Sequence, residues 1–183
     1  MVAKKVSKLI PFHEGDVIAI PLPKGGYGLG VVSAVPKTRR SLLWISFVWW
    51  FGPKWDHVPT IDEVPALKAE DKCLFGLVVM KYVHTGKWPV VGRLPGYNPS
   101  QWPMPEFVRW DVSLRRWLRV AFPGPRLWYD QHQTYLQITR EEAAKCADSA
   151  LGGFDTKPHY VERAIEQGWR GREPVEIEEA RYS

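Results

Sequence analysis

Cysteine is scarce in this chain of 183 residues, with only Cys73 and Cys146 present. Cys73 opens an apolar run and Cys146 falls in a helical pattern. Both read as buried thiols rather than as a disulfide or a metal pair. Long apolar runs are missing too. The longest, residues 42–51, is interrupted by Ser46 and is about half of what a helix needs to cross a bilayer. Lysines stand at positions 4, 5 and 8, but no apolar stretch follows them before Pro11, so no secretory leader is expected. A soluble, cytoplasmic protein without a membrane partner is the expectation.

Reactive constellations are equally thin. No His, Cys and carboxylate set has metal-ligand spacing, and no Gly-x-Ser-x-Gly elbow occurs. The five histidines, His13, His57, His84, His132 and His159, fall in separate turns or near a helix start. Asp130 and His132 would share a strand face. A general base also needs a nucleophile or water site and an orienting group, and a surface hydrogen bond accounts for the pair. No enzyme, cofactor or metal is expected.

What the chain does have is ten Trp, sixteen Pro and fifteen Gly. Turn formers spread along the whole length imply short strands and many turns. One domain is expected over 1–183: a basic arm at 1–12, a mainly β part at 13–130 and a helical part with an acidic tail at 131–183. The formal charge of +5 permits an acidic partner or nucleic acid and requires neither.

The organising stretch is residues 14–35. Residues 16–21 and 27–35 alternate as two strands around Leu22-Pro23-Lys24-Gly25-Gly26, where proline fixes φ and the paired glycines supply positive φ. Val17 and Ala19 point one way, Ile18 and Ile20 the other, so this strand should be covered on both faces. Gly28 and Gly30 share a face with Val32 and Ala34. A glycine face admits close approach and lets a sheet curl towards a barrel. These glycines alternate along a strand, so they do not form a phosphate loop, which opens a helix.

Residues 42–51 read as a central strand stopped by Gly52-Pro53, with Trp49 and Trp50 sending one indole to each face. Thr60 and Glu63 fit a capping box that Pro65 keeps short. Residues 73–82 form a strand, and residues 88–94 its hairpin partner after the turn at His84-Thr85-Gly86-Lys87. In that partner Trp88, Val90, Gly92 and Leu94 should share a face. Four prolines make 95–106 an irregular loop, lying on the body through Tyr97, Trp102 and Met104. Strands follow at 107–112 and 117–122, and a short one at 127–129. Thr139 and Glu142 form a second capping box for a helix reaching about residue 149. A last helix with Pro158 in its first turn carries the stripe Tyr160, Val161, Ala164 and Ile165 and stops at Gly168. Val175 and Ile177 would form an edge strand in the tail.

Gly15-Asp16, the apolar strand into Pro21, and Gly26-Tyr27-Gly28 with Gly30 resemble the N-terminal hairpin of the immunity protein 26 family, bacterial proteins encoded beside polymorphic toxins. Trp88-Pro89-Val90-Val91-Gly92, Pro105-Glu106-Phe107 and Gly152-Gly153 before a helix extend the resemblance along most of the chain. In that family an Arg often follows the last hairpin glycine, whereas Val31 stands here. The resemblance implies a protein that binds a cognate toxin and neutralises it by stoichiometric occlusion.

One stretch has the chemistry of an interface. Arg109, Arg115, Arg116, Arg119 and Arg126 interleave with Trp110 and Trp117. Arg and Trp dominate protein hot spots, and the same mixture can hold nucleic acid by phosphate contact and stacking. A third reading is arginines solvating the outer face of a sheet whose tryptophans point inward. Arg39, Arg40 and Trp102 are further candidate contacts. The expected architecture is α+β: a strongly curved antiparallel sheet or incomplete β-barrel with two C-terminal helices. The expected function is toxin binding, with a nucleic-acid-binding module of small curved β-barrel form as the alternative.

Overall fold

The computed structural model describes residues 9–35, 45–103, 105–111, 113–121, 134–143, 147–148 and 157–168. Five antiparallel strands, β1 (Asp16–Pro21), β2 (Tyr27–Ala34), β3 (Ile45–Trp55), β4 (Leu74–Val79) and β5 (Val90–Arg93), form one sheet in the order β4-β3-β2-β1-β5. A smaller sheet holds β6 (Phe107–Asp111), β7 (Arg116–Ala121) and β8 (Thr134–Ile138), all antiparallel, with β9 (Ala147–Asp148) parallel to β6. The helices are α1 (Lys81–His84), α2 (Arg140–Ala143) and α3 (Lys157–Gln167). The class is α+β, and the five-stranded sheet is open rather than closed into a barrel.

Two-sided apolar alternation drives the larger sheet. Val17 and Ala19 pack with Leu29, Val31, Phe47, Trp49 and Phe51 on one face. Ile18 and Ile20 pack with Val32, Val48, Trp50 and Val78 on the other. Trp49 and Trp50 lie on opposite faces, and both are buried. Each large apolar side chain so enclosed contributes roughly 1.5–3 kcal/mol. The proline-rich loop covers the first face. Trp102 stacks on Tyr97 at 6.0 Å and meets Trp49 and Phe51 edge-on at 6.1 and 5.9 Å.

Helix α3 covers the second face with Val161, Ala164 and Ile165, and Gly168 ends it at φ +64°. Tyr160 is an exposed flank of the stripe. The glycines of β2 make room here. A Cβ on Gly28 would stand 2.7 Å from Val161 Cγ1, and one on Gly30 would stand 2.6 Å from Trp50 Cζ3. The close approach at these glycines is therefore by side chains. Polar ties fix the helix to the β1–β2 turn. The Lys24 N–H donates to Glu162 Oε1 at 2.8 Å, and Lys24 Nζ donates to Glu166 Oε2 at 2.7 Å.

Bulges account for most departures from the sequence expectations. Val32 pairs with Val48 but Ala34 with Phe47. The extra residue turns Ala34 to the face opposite Val32. Between Leu29↔Phe51 and Tyr27↔Trp55, three residues of β3 oppose Gly28 alone. Such a bulge tolerates Pro53, so β3 continues to Trp55 instead of stopping at Gly52. The strand expected to pair with β4 pairs with β1. Strands β4 and β5 run in the same direction, and no tight hairpin can join parallel strands. The chain crosses through α1, which takes the residues expected at the end of β4. Another bulge, between Val17↔Gly92 and Ile18↔Val90, separates Trp88 and Val90 from Leu94, which pack in different cores.

Both capping boxes form. Glu63 Oε2 accepts the Thr60 N–H at 2.7 Å, and Glu142 Oε2 accepts the Thr139 N–H at 2.9 Å. Helix α2 does not extend to 149, because residues 147–148 pair with β6. Strand β8 was not expected. The arm before Leu9, Arg39 and Arg40, Met104, residues 122–133, Cys146 and the acidic tail lie outside the described residues.

Candidate partner-binding surface

The Arg- and Trp-rich stretch is the β6–β7 hairpin and its approach. Phe107 roots it, fully buried and edge-on to Phe47 at 5.6 Å. Val108, Trp117, Ile138 and Ala143 form a small core of their own. Trp117 is only 7% exposed, so its indole is enclosed and presents no stacking surface. Arg109 and Trp110 sit in β6 opposite Leu118 and Trp117. Trp102, another aromatic candidate, is buried where its loop packs on Trp49 and Phe51.

The arginines are not one face. Arg116 and Arg119 are three residues apart on a strand, which places them on opposite sides. Arg116 Nη1 donates to Gln137 Oε1 at 3.2 Å. Arg119 Nη1 donates to both oxygens of Glu106 at 2.9 and 3.1 Å. Arg115 lies in the turn at φ +47°. Before it, the N–H of Leu114 donates to Asp111 Oδ1 at 3.1 Å. Leu114 is 56% exposed, and Leu136, in register with Arg119, is 55% exposed. Leu114, Arg115, Leu136, Gln137 and Glu106 are exposed on these described residues, and Arg116 and Arg119 are partly so.

The hairpin motif at the start of the chain is built into the five-stranded sheet. Asp16 Oδ2 accepts the His13 N–H at 2.7 Å, and Pro21 pairs with Tyr27. The Tyr97 ring lies over Gly15, and its hydroxyl donates to the Ser33 carbonyl at 3.2 Å. Burial, helped by the Glu14 carboxylate, pushes that phenol up to about 12. Burial likewise pushes the Cys73 thiol up to about 11, and Sγ donates to the Trp50 carbonyl at 3.3 Å. A thiol so protonated is a poor nucleophile at neutral pH.

One titrating cluster stands at the surface. His57 Nδ1 lies 2.5 Å from Asp56 Oδ1, and Nε2 lies 3.4 Å from Glu63 Oε1. Two carboxylate acceptors favour the doubly protonated ring. Hydrogen bonding to Asp56, then to Glu63, raises the His57 pKa above its ordinary 6.5. A raised folded pKa means that the charged ring contributes in full below the ordinary value, and that the contribution fades as pH rises through the folded one. A proton NMR titration should place the His57 midpoint above 6.5, and Asp56→Asn should lower it. A wild-type midpoint at or below the ordinary value would refute the pairing.

Among the described residues no group of three His, Cys, Asp or Glu side chains is arranged to hold a metal ion, and no helix is long and apolar enough to cross a membrane. No curated protein and no solved structure matches the chain. The family model described as immunity protein 26 matches residues 13–117. That span takes in the five-stranded sheet, its covering loop, β6 and the first two residues of β7, and ends before α3. With more than half of its residues matched, and with the hairpin, loop and β6 in place, the chain belongs to the immunity protein 26 family.

Proposed function

We propose that the protein binds a cognate toxin in the cytoplasm of the producing cell and neutralises it by stoichiometric occlusion, without catalysis. Membership of the immunity protein 26 family carries this reading. The surface described above is consistent with it. Protein interfaces favour apolar anchors beside arginine, and Leu114, Arg115, Leu136 and Arg119 supply that mixture. Nucleic-acid binding is the second reading; stacking on bases needs accessible aromatic faces, and of the aromatic candidates Trp117 and Trp102 are enclosed.

The test is co-expression with the toxin encoded next to this protein's gene. Growth should return to cells making that toxin, and the two proteins should co-purify in a one-to-one complex. Continued arrest with both proteins soluble would overturn the reading.

A further inference from the structure

Resting on the toxin-binding reading, we infer that the tip of the β6–β7 hairpin, residues 113–116, inserts into the partner, and that the partner presents there an apolar socket rimmed by carboxylates. Leu114 is the most exposed large apolar side chain among the described residues. It is held outward by a built turn, with Asp111 Oδ1 accepting its N–H. The next residue, Arg115, is the one non-glycine residue at positive φ among those described. Glycine would adopt that conformation without the steric penalty that a Cβ brings. An arginine there keeps a guanidinium at the tip against the preference of the backbone.

The charges around Leu114 set the partner's chemistry. Arg115 has no ion-pair partner among the described residues, and the Nη1 of Arg116 bonds to the neutral amide of Gln137. Asp111 is the hairpin's own carboxylate at this end, with one oxygen engaged by the turn. Helix α2, which follows Ile138 opposite Trp117, adds Arg140, Glu141 and Glu142, of which Glu142 is engaged by the Thr139 N–H. An exposed aliphatic side chain is therefore followed directly by one exposed guanidinium group, Arg115, and one partly exposed, Arg116. An aliphatic group offers nothing to a phosphate or a base stack, but it fills a protein pocket, and the arginines match carboxylates in bidentate geometry. Leu136 and the Arg119–Glu106 pair lie farther along the sheet and would form the rim of the contact.

The probe is a catalytically inactive form of the neighbour-encoded toxin, with binding rates measured for wild type, Leu114→Ser and Arg115→Gly over a range of salt. Each variant should weaken binding by about 30-fold or more, as an interface anchor does. Arg115→Gly suits the backbone at φ +47°, so it should melt no lower than wild type and separate lost contact from lost fold. The wild-type association rate should fall as salt rises, and fall less for Arg115→Gly. If wild type binds and both variants bind within about threefold of it, the tip is not the interface while the toxin-binding reading stands. If wild type does not bind, that reading falls and the tip with it. Tight binding with no salt dependence overturns the carboxylate rim.

Discussion

Trp50→Ala is expected to destabilise the protein by about 3–5 kcal/mol, a large share of the roughly 5–15 kcal/mol that holds a domain folded. Trp50 is fully buried. It packs edge-on to Trp88 at 6.1 Å and fills the space left by Gly30. Removing it empties a site in the core on the second face of the main sheet, whose hydrogen-bonded strands limit collapse. Gly30→Ala should also destabilise, by about 1–3 kcal/mol, because its methyl would meet the Trp50 ring at 2.6 Å and Val48 Cγ1 at 2.7 Å. The two changes should couple. With the indole gone, the methyl at position 30 occupies part of the void, so the double variant should lose less than the sum of the singles. Urea unfolding of the four proteins reads this directly, provided the slope with denaturant is unchanged. Additivity to within about 0.5 kcal/mol would show that Gly30 and Trp50 do not share one packing site.

Gly26→Ala should destabilise by about 3 kcal/mol or more, while Gly25→Ala should cost only about 1 kcal/mol. The two glycines are adjacent in the β1–β2 turn and have nearly the same backbone, φ +79° and +86°. Conformational strain is therefore common to both. Space is not. A Cβ on Gly25 meets nothing within 4 Å, whereas one on Gly26 would collide with the backbone carbonyl oxygen of Trp55. That oxygen cannot turn aside as a side chain would, because Trp55 is paired with Tyr27. The Gly26 variant should also loosen α3, since the same turn presents the Lys24 N–H to Glu162. Faster amide exchange in α3 together with a lower melting temperature is the expected signature. Equal melting temperatures for the two alanine variants would overturn the steric account.

Local interactions were legible in advance. The β1–β2 hairpin, the capping boxes at Thr60 and Thr139, the helix from Pro158 to Gly168 and the opposed indoles of Trp49 and Trp50 all follow from residues within a few positions of one another. Strict alternation misled wherever a bulge intervened. Ala34 and Leu94 lie on the face opposite the one that counting by twos assigns. A bulge forms when it improves packing against another strand, and that strand is distant in sequence. Strand β8 is in retrospect visible as the alternation Thr134-Tyr135-Leu136-Gln137-Ile138.

For the site, the sequence by itself determined the residue types, Arg and Trp interleaved over residues 109–126, and the hairpin that carries most of them. It also determined the family, since the immunity protein 26 model matches residues 13–117 from sequence alone. Only the tertiary structure decided which of those side chains face solvent. Trp117 is drawn inward by Ile138 and Ala143, and Trp102 by Trp49 and Phe51, leaving Leu114 and Leu136 outside. Likewise only the fold paired Arg119 with Glu106 and Arg116 with Gln137. Burial and pairing depend on which distant segment covers a residue, and covering is a property of the assembled sheets that no short window of sequence contains.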